Sequence, residues 1–101
     1  MTKVMDKKIL NLIDRRQRQI LVHSYIYYEL DENIIDDSTW SKWALELEEL
    51  LRKYPEESAA SVYAKDFENF DHSTGAGLNY FKPEIIGVAR MLLRYKKENV
   101  K

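Results

Sequence analysis

Tyr27, Tyr28, Asp37 and Trp40 are the residues of this chain whose types and spacing best suit ligand chemistry. Two aromatic faces stack a flat heterocycle, a contact worth about 1–3 kcal/mol per base. A carboxylate beside them accepts bonds from both hydroxyls of a ribose. Free amides at a helix start receive phosphate, although Asp36 and Asp37 oppose an anion there. If the chain folds back between Tyr28 and Asp37, the aromatics face one another across a cleft with Asp37 at its rim. Such a cleft suits a nucleotide or dinucleotide. The same residue types also serve as core and cap, because aromatics at helical spacing pack interiors and an Asp before a helix accepts its first-turn amides. Trp43, Tyr54 and Tyr25 read as structural on either view.

A second candidate is the stretch Phe70-Asp71-His72-Ser73-Thr74-Gly75-Ala76-Gly77. Its backbone amides, from Ser73, Thr74 and Gly75 in particular, can wrap a phosphate as a nest, with His72 adding a titratable donor. Arg90 or Arg94 would supply the countercharge. The stretch lacks the Gly-Lys-Ser or Gly-Lys-Thr ending of a P-loop, and it reads equally as a glycine-bearing helix connection. Asp71, His72 and Ser73 are sequence neighbours, which rarely aim at a common substrate atom, so no catalytic triad is expected. Asp66, Asp71 and His72 match no metal-ligand spacing, so no metal is expected either. His23 falls on an apolar helix face and reads as a partly buried, satisfied histidine. Arg15, Arg16 and Arg18 read as a solvated face or as partners of Glu46, Glu48 and Glu49.

The elements that must position these residues are helical. Met5, Ile9, Leu12, Ile13, Arg16, Ile20, His23, Tyr27 and Leu30 recur at three- and four-residue steps, which predicts a long helix over about 3–30. Residues 31–37 break that pattern, and Asp36, Asp37 or Ser38 can cap a second helix carrying Trp40, Trp43, Ala44, Leu47, Leu50 and Leu51. A connection this short brings the two helices back as an antiparallel pair. Pro55 ends the second helix and opens a third to about residue 69, and Pro83 opens a last one with a basic end. The expected architecture is all-α, with about four helices in one domain over 1–101. A long N-terminal hairpin carries the C-terminal helix packed on it.

Composition bounds the function. The chain has 101 residues, 16 basic against 17 acidic side chains, and no cysteine. A net charge of −1 argues against a broad nucleic-acid surface. Without cysteine there is no disulfide framework, thiol nucleophile or Cys-based zinc site. No apolar run approaches the roughly 18 residues of a membrane span, and the charged start leads into no signal-peptide core. A cytoplasmic protein without membrane partners is expected. Its richness in tyrosine suggests an apolar face for a homo-oligomer.

The segment His23-Ser24-Tyr25-Ile26-Tyr27-Tyr28-Glu29-Leu30-Asp31-Glu32-Asn33-Ile34-Ile35-Asp36-Asp37-Ser38-Thr39-Trp40 resembles the start of NAD-dependent bacterial DNA ligases. The likeness runs on through Leu45-Glu46-Leu47-Glu48-Glu49-Leu50-Leu51-Arg52-Lys53-Tyr54-Pro55-Glu56, so the domain Ia-like portion is about 5–57. In that family, domain Ia grips the nicotinamide mononucleotide half of NAD. The resemblance implies that Tyr27 and Tyr28 are the aromatic pair and Asp37 the first acidic ligand. Trp40 stands where the family has tyrosine, and Ser41 where it has a second Asp. The family's Lys-x-Asp-Gly adenylation motif is missing, since Lys53-Tyr54-Pro55-Glu56 and Lys65-Asp66-Phe67-Glu68 both fail it. The chain looks like a free-standing, ligase-related small protein of bacteriophage type.

The expectation is therefore a non-catalytic binder of an NAD-derived or ADP-ribose-like nucleotide, with no catalytic cofactor. In a phage setting it would act as a sponge for a host-defence signal. The alternative is a helical interaction module acting on a replication or defence protein.

Overall fold

Apolar side chains along one stripe make α1 (Lys7–Glu29) the helix on which every other element packs. The computed structural model describes residues 5–32, 34–73 and 78–99, the last two by their backbone alone. The element order is α1, α2 (Asp37–Lys53), α3 (Pro55–Ala60) and α4 (Pro83–Asn99), with no strand among the described residues. Ile13, Ile20, Leu21 and Ile26 of α1 are fully buried, and they meet Ala44 and Leu47 of α2, Phe67, and Ile85 and Ala89 of α4. At about 25 cal/mol per Å² of apolar surface, this shared core holds the helices together. α2 and α4 do not touch; each packs against α1. No described helix is long and apolar enough to cross a membrane.

Local chemistry sets the hairpin. Asp6 caps α1 by accepting from Lys8 N at 2.9 Å and Ile9 N at 3.4 Å. The buried Glu57 accepts from Asp6 N at 2.9 Å, which ties the start of α1 to α3. At the other end Asp31 adopts a left-handed backbone, φ 51°, a conformation Asp tolerates better than most residues. Glu32 N then donates back to Ile26 O at 3.1 Å and ends the helix. Asp36 opens α2 by accepting from Thr39 N at 2.7 Å. Of the three capping candidates, Asp36 is the cap. Arg16 Nε meets Glu46 at 2.6 Å across the hairpin, as the charge pattern suggested.

The third helix is shorter than its periodicity predicts. It stops at Ala60, and residues 61–69 are a run of turns. The cause lies on α1. Asp14 Oδ1 accepts from Val62 N at 2.9 Å, and Gln17 Oε1 accepts from Tyr63 N at 3.3 Å. Those amides would otherwise have bonded carbonyls four residues back to continue the helix. Gln17 is fully buried and also donates to Ser61 Oγ at 2.9 Å, so one amide side chain pins the whole turn.

Candidate functional site

The end of α1, the connection and the start of α2 enclose a cavity of about 230 Å³. Tyr27 and Tyr28 reach it from the last turns of α1, and Asp37, Trp40 and Ser41 from the opening turns of α2. Ser73 closes it from the loop. The five ligand-binding residues expected from the sequence are therefore brought together, joined by one of the phosphate candidates. Thr74 and Gly75 lie outside the described residues. Arg90 and Arg94 are exposed on α4 and do not line the cavity.

Part of the wall is aromatic. Tyr27 and Tyr28 meet edge to face at 4.9 Å, and Tyr28 lies parallel to Tyr80 at 6.4 Å. Tyr80 is buried and donates from its hydroxyl to Glu29 at 2.6 Å, which braces the end of α1 from behind. Burial, then that bond to Glu29, raises the Tyr80 hydroxyl pKa to about 12. Tyr27 is half exposed and Trp40 partly buried, so each keeps ring surface outside the core. Tyr25 is buried, and Trp43 and Tyr54 pack against the core, consistent with their structural reading.

The rim is acidic. Glu32, Asp36 and Asp37 all line the cavity, and no lysine or arginine does so among the described residues. Asp36 is committed to its cap: bonds from Thr39 and Ser38 hold its carboxyl below the usual range. Asp37 is exposed and has no hydrogen-bond partner among the described residues. A phosphate inside would meet three carboxylates. At about 230 Å³ the cavity falls below the roughly 300–1,000 Å³ of pockets for drug-sized ligands.

Three polar lining residues were not singled out as site residues from the sequence. His23 stands four positions before Tyr27 on the same helix face, a spacing that would have revealed it. Its ring packs on Trp43 at 5.6 Å, and burial pushes its pKa below the ordinary value. Ser24 also lines the cavity, but its Oγ is sealed from solvent and has no partner. Glu32 lies in the connection, where no periodicity marks it.

The neighbouring loop is organised differently from any triad. Asp71 Oδ1 accepts from Ser73 N at 2.7 Å, which lowers the Asp71 pKa, while His72 turns to Glu48. Glu48 Oε2 accepts from His72 N at 2.8 Å and lies 2.8 Å from its Nδ1; these contacts depress the Glu48 carboxyl. Of the metal trio weighed from sequence, Asp66 pairs instead with Lys82 at 3.3 Å. Glu48 takes its place beside Asp71 and His72, the three offering ligand atoms within 4.8 Å of one another.

No protein family, curated protein or solved structure matches the chain. Nothing in these comparisons links it to the ligase domain Ia that its sequence resembles.

Proposed function

We propose that the chain is a non-catalytic binder of an NAD-derived or ADP-ribose-like nucleotide. The nucleoside end enters between Tyr27, Tyr28 and Trp40, and Asp37 accepts from the ribose hydroxyls. Ser41 lies beside Trp40 on the same wall, a hydroxyl within the set that orients the sugar. The observation carrying this reading is the cavity itself: two exposed tyrosines, a tryptophan and an unpaired carboxylate line one space of about 230 Å³. The acidic rim refines it. Of the two halves of NAD, the rim favours the one whose ring carries positive charge, because a cation over aromatic faces beside carboxylates is stabilised twice.

Binding without chemistry acts by withdrawing the ligand. In a bacteriophage setting, within the host cytoplasm, this would be a sponge that removes a nucleotide signal used in defence.

The test is intrinsic tryptophan fluorescence during titration with nicotinamide mononucleotide, NAD, ADP-ribose and cyclic ADP-ribose isomers. Trp40→Ala and Asp37→Ala should each weaken binding at least tenfold while leaving the helical circular dichroism unchanged. Equal binding by both variants and the wild type would remove the cavity from consideration. A hydrolysis or transfer product formed from NAD would overturn the non-catalytic reading.

A further inference from the structure

The trio formed by Glu48, Asp71 and His72 carries an inference independent of the nucleotide reading. Glu48 stands on α2, and the loop after residue 69 returns Asp71 and His72 to it. Each side chain offers one ligand atom, and the three atoms lie within 4.8 Å of one another. Ligand atoms on a tetrahedral ion at roughly 2.0–2.2 Å sit about 3.3–3.6 Å apart. Side-chain movements of about an ångström would therefore gather the trio around one ion. Asp71 and His72 are exposed and Glu48 is partly buried, so the side chains have room for that adjustment.

Two observations say what kind of ion it is. The first is charge. Two carboxylates stand side by side, and among the described residues no lysine or arginine pairs with either, since Arg16 goes to Glu46 and Lys82 to Asp66. A divalent cation would relieve a like-charge repulsion that the neighbouring side chains leave standing. The second is donor chemistry. One imidazole nitrogen with two carboxylate oxygens suits zinc and its first-row neighbours, whereas calcium and magnesium take oxygen ligands.

The hydrogen bonds already present leave the donors usable. His72 N donates to Glu48 Oε2, Nδ1 lies 2.8 Å from the same oxygen, and Ser73 N donates to Asp71 Oδ1. The second oxygen of each carboxylate is the one that faces no such claim among these bonds. At His72 the ion takes the place of the proton between Nδ1 and Glu48, and that proton leaves to solvent. Three protein ligands leave a further position for water. None of the three lines the cavity, although Ser73 does, so the ion would stand beside that space and not in it.

We propose that Glu48, Asp71 and His72 bind one divalent first-row transition ion of the zinc type, which clasps the loop to α2. The experiment is isothermal titration calorimetry of zinc chloride into the full chain after treatment with a chelator, repeated with magnesium and calcium. Wild type should take up one zinc per chain and release a proton, read from the dependence of the heat on the buffer's ionisation enthalpy. His72→Ala and Glu48→Gln should each weaken zinc binding at least tenfold with the helical circular dichroism unchanged. Glu49→Gln, at the next and exposed position of α2, should leave it as it is. Magnesium or calcium binding as tightly as zinc overturns the assignment of the imidazole as a ligand. Zinc uptake that is absent, that does not saturate, or that is equal in His72→Ala and wild type means an adventitious ion only and overturns the proposal.

Discussion

Replacing Ser24 with alanine should stabilise this protein, against the usual direction of core substitutions. Ser24 sits in α1 at 1% exposure, and its Oγ has neither solvent nor a hydrogen-bond partner. Leaving a buried hydroxyl unpaired costs about 1–3 kcal/mol, and the folded state bears that cost while the unfolded chain does not. Alanine also exceeds serine in helix propensity by roughly 0.5 kcal/mol. Against these gains stands one lost heavy atom, which leaves a void too small for water and forfeits only a few weak contacts. The net is about 1–2 kcal/mol in favour of Ser24→Ala, or a rise in Tm of roughly 5–12 °C for a domain of this size. Urea unfolding followed by far-UV circular dichroism measures it, with an unchanged m-value confirming that the change lies in stability. A destabilised Ser24→Ala would refute the reasoning, since it would mean that the hydroxyl has a partner worth more than its burial costs.

Gln17→Leu should act in the opposite sense, because it orphans the buried Tyr63 N–H and releases Ser61 Oγ. A loss of about 2–3 kcal/mol is expected, with faster hydrogen exchange confined first to residues 61–69. The partly buried His23 gives a pH dependence. Its folded pKa lies below the ordinary 6.5, so as pH falls below 6.5 the unfolded chain takes up the proton first and stability drops. The slope of unfolding free energy against pH from one such site cannot exceed about 1.4 kcal/mol per unit, and it should flatten in His23→Gln. Should the variant keep the full slope, His23 is not its source. Spectrophotometric titration should find Tyr63 and Tyr80 ionising at about 12, with burial as the main cause and Glu84 and Glu29 adding to it. Tyr63→Phe and Tyr80→Phe should each remove one late-titrating phenol.

The hairpin and the cavity were legible in the sequence because both depend on local rules. The apolar stripe from Ile9 to Tyr27 fixes a face of α1, Asp36 marks the start of α2, and a short connection returns the chain. Those constraints suffice to bring Tyr27 and Tyr28 to Trp40. What escaped depends on distant partners. The end of α3 is set by Asp14 and Gln17, almost fifty residues away, whose side chains capture the amides of Val62 and Tyr63. Helical periodicity in the 59–67 segment could not reveal that competition. Likewise His72 finds Glu48 and Asp66 finds Lys82 through the packing of the loop, and no spacing announces either pair. Tyr80 lies outside the helices, where no periodicity marks it, yet it is buried and donates to Glu29 behind the site. The acidic rim was half visible: Asp36 and Asp37 stood out, whereas Glu32 joined them only once the turn was in place.

The central claim is that the cavity between Tyr27 and Trp40 holds the nucleoside end of an NAD-derived nucleotide. Isothermal titration calorimetry of nicotinamide mononucleotide into the wild-type protein tests it most directly. The account predicts saturable heat with one site per chain, lost in Trp40→Ala. Absence of heat with nicotinamide mononucleotide, NAD and ADP-ribose alike would contradict it.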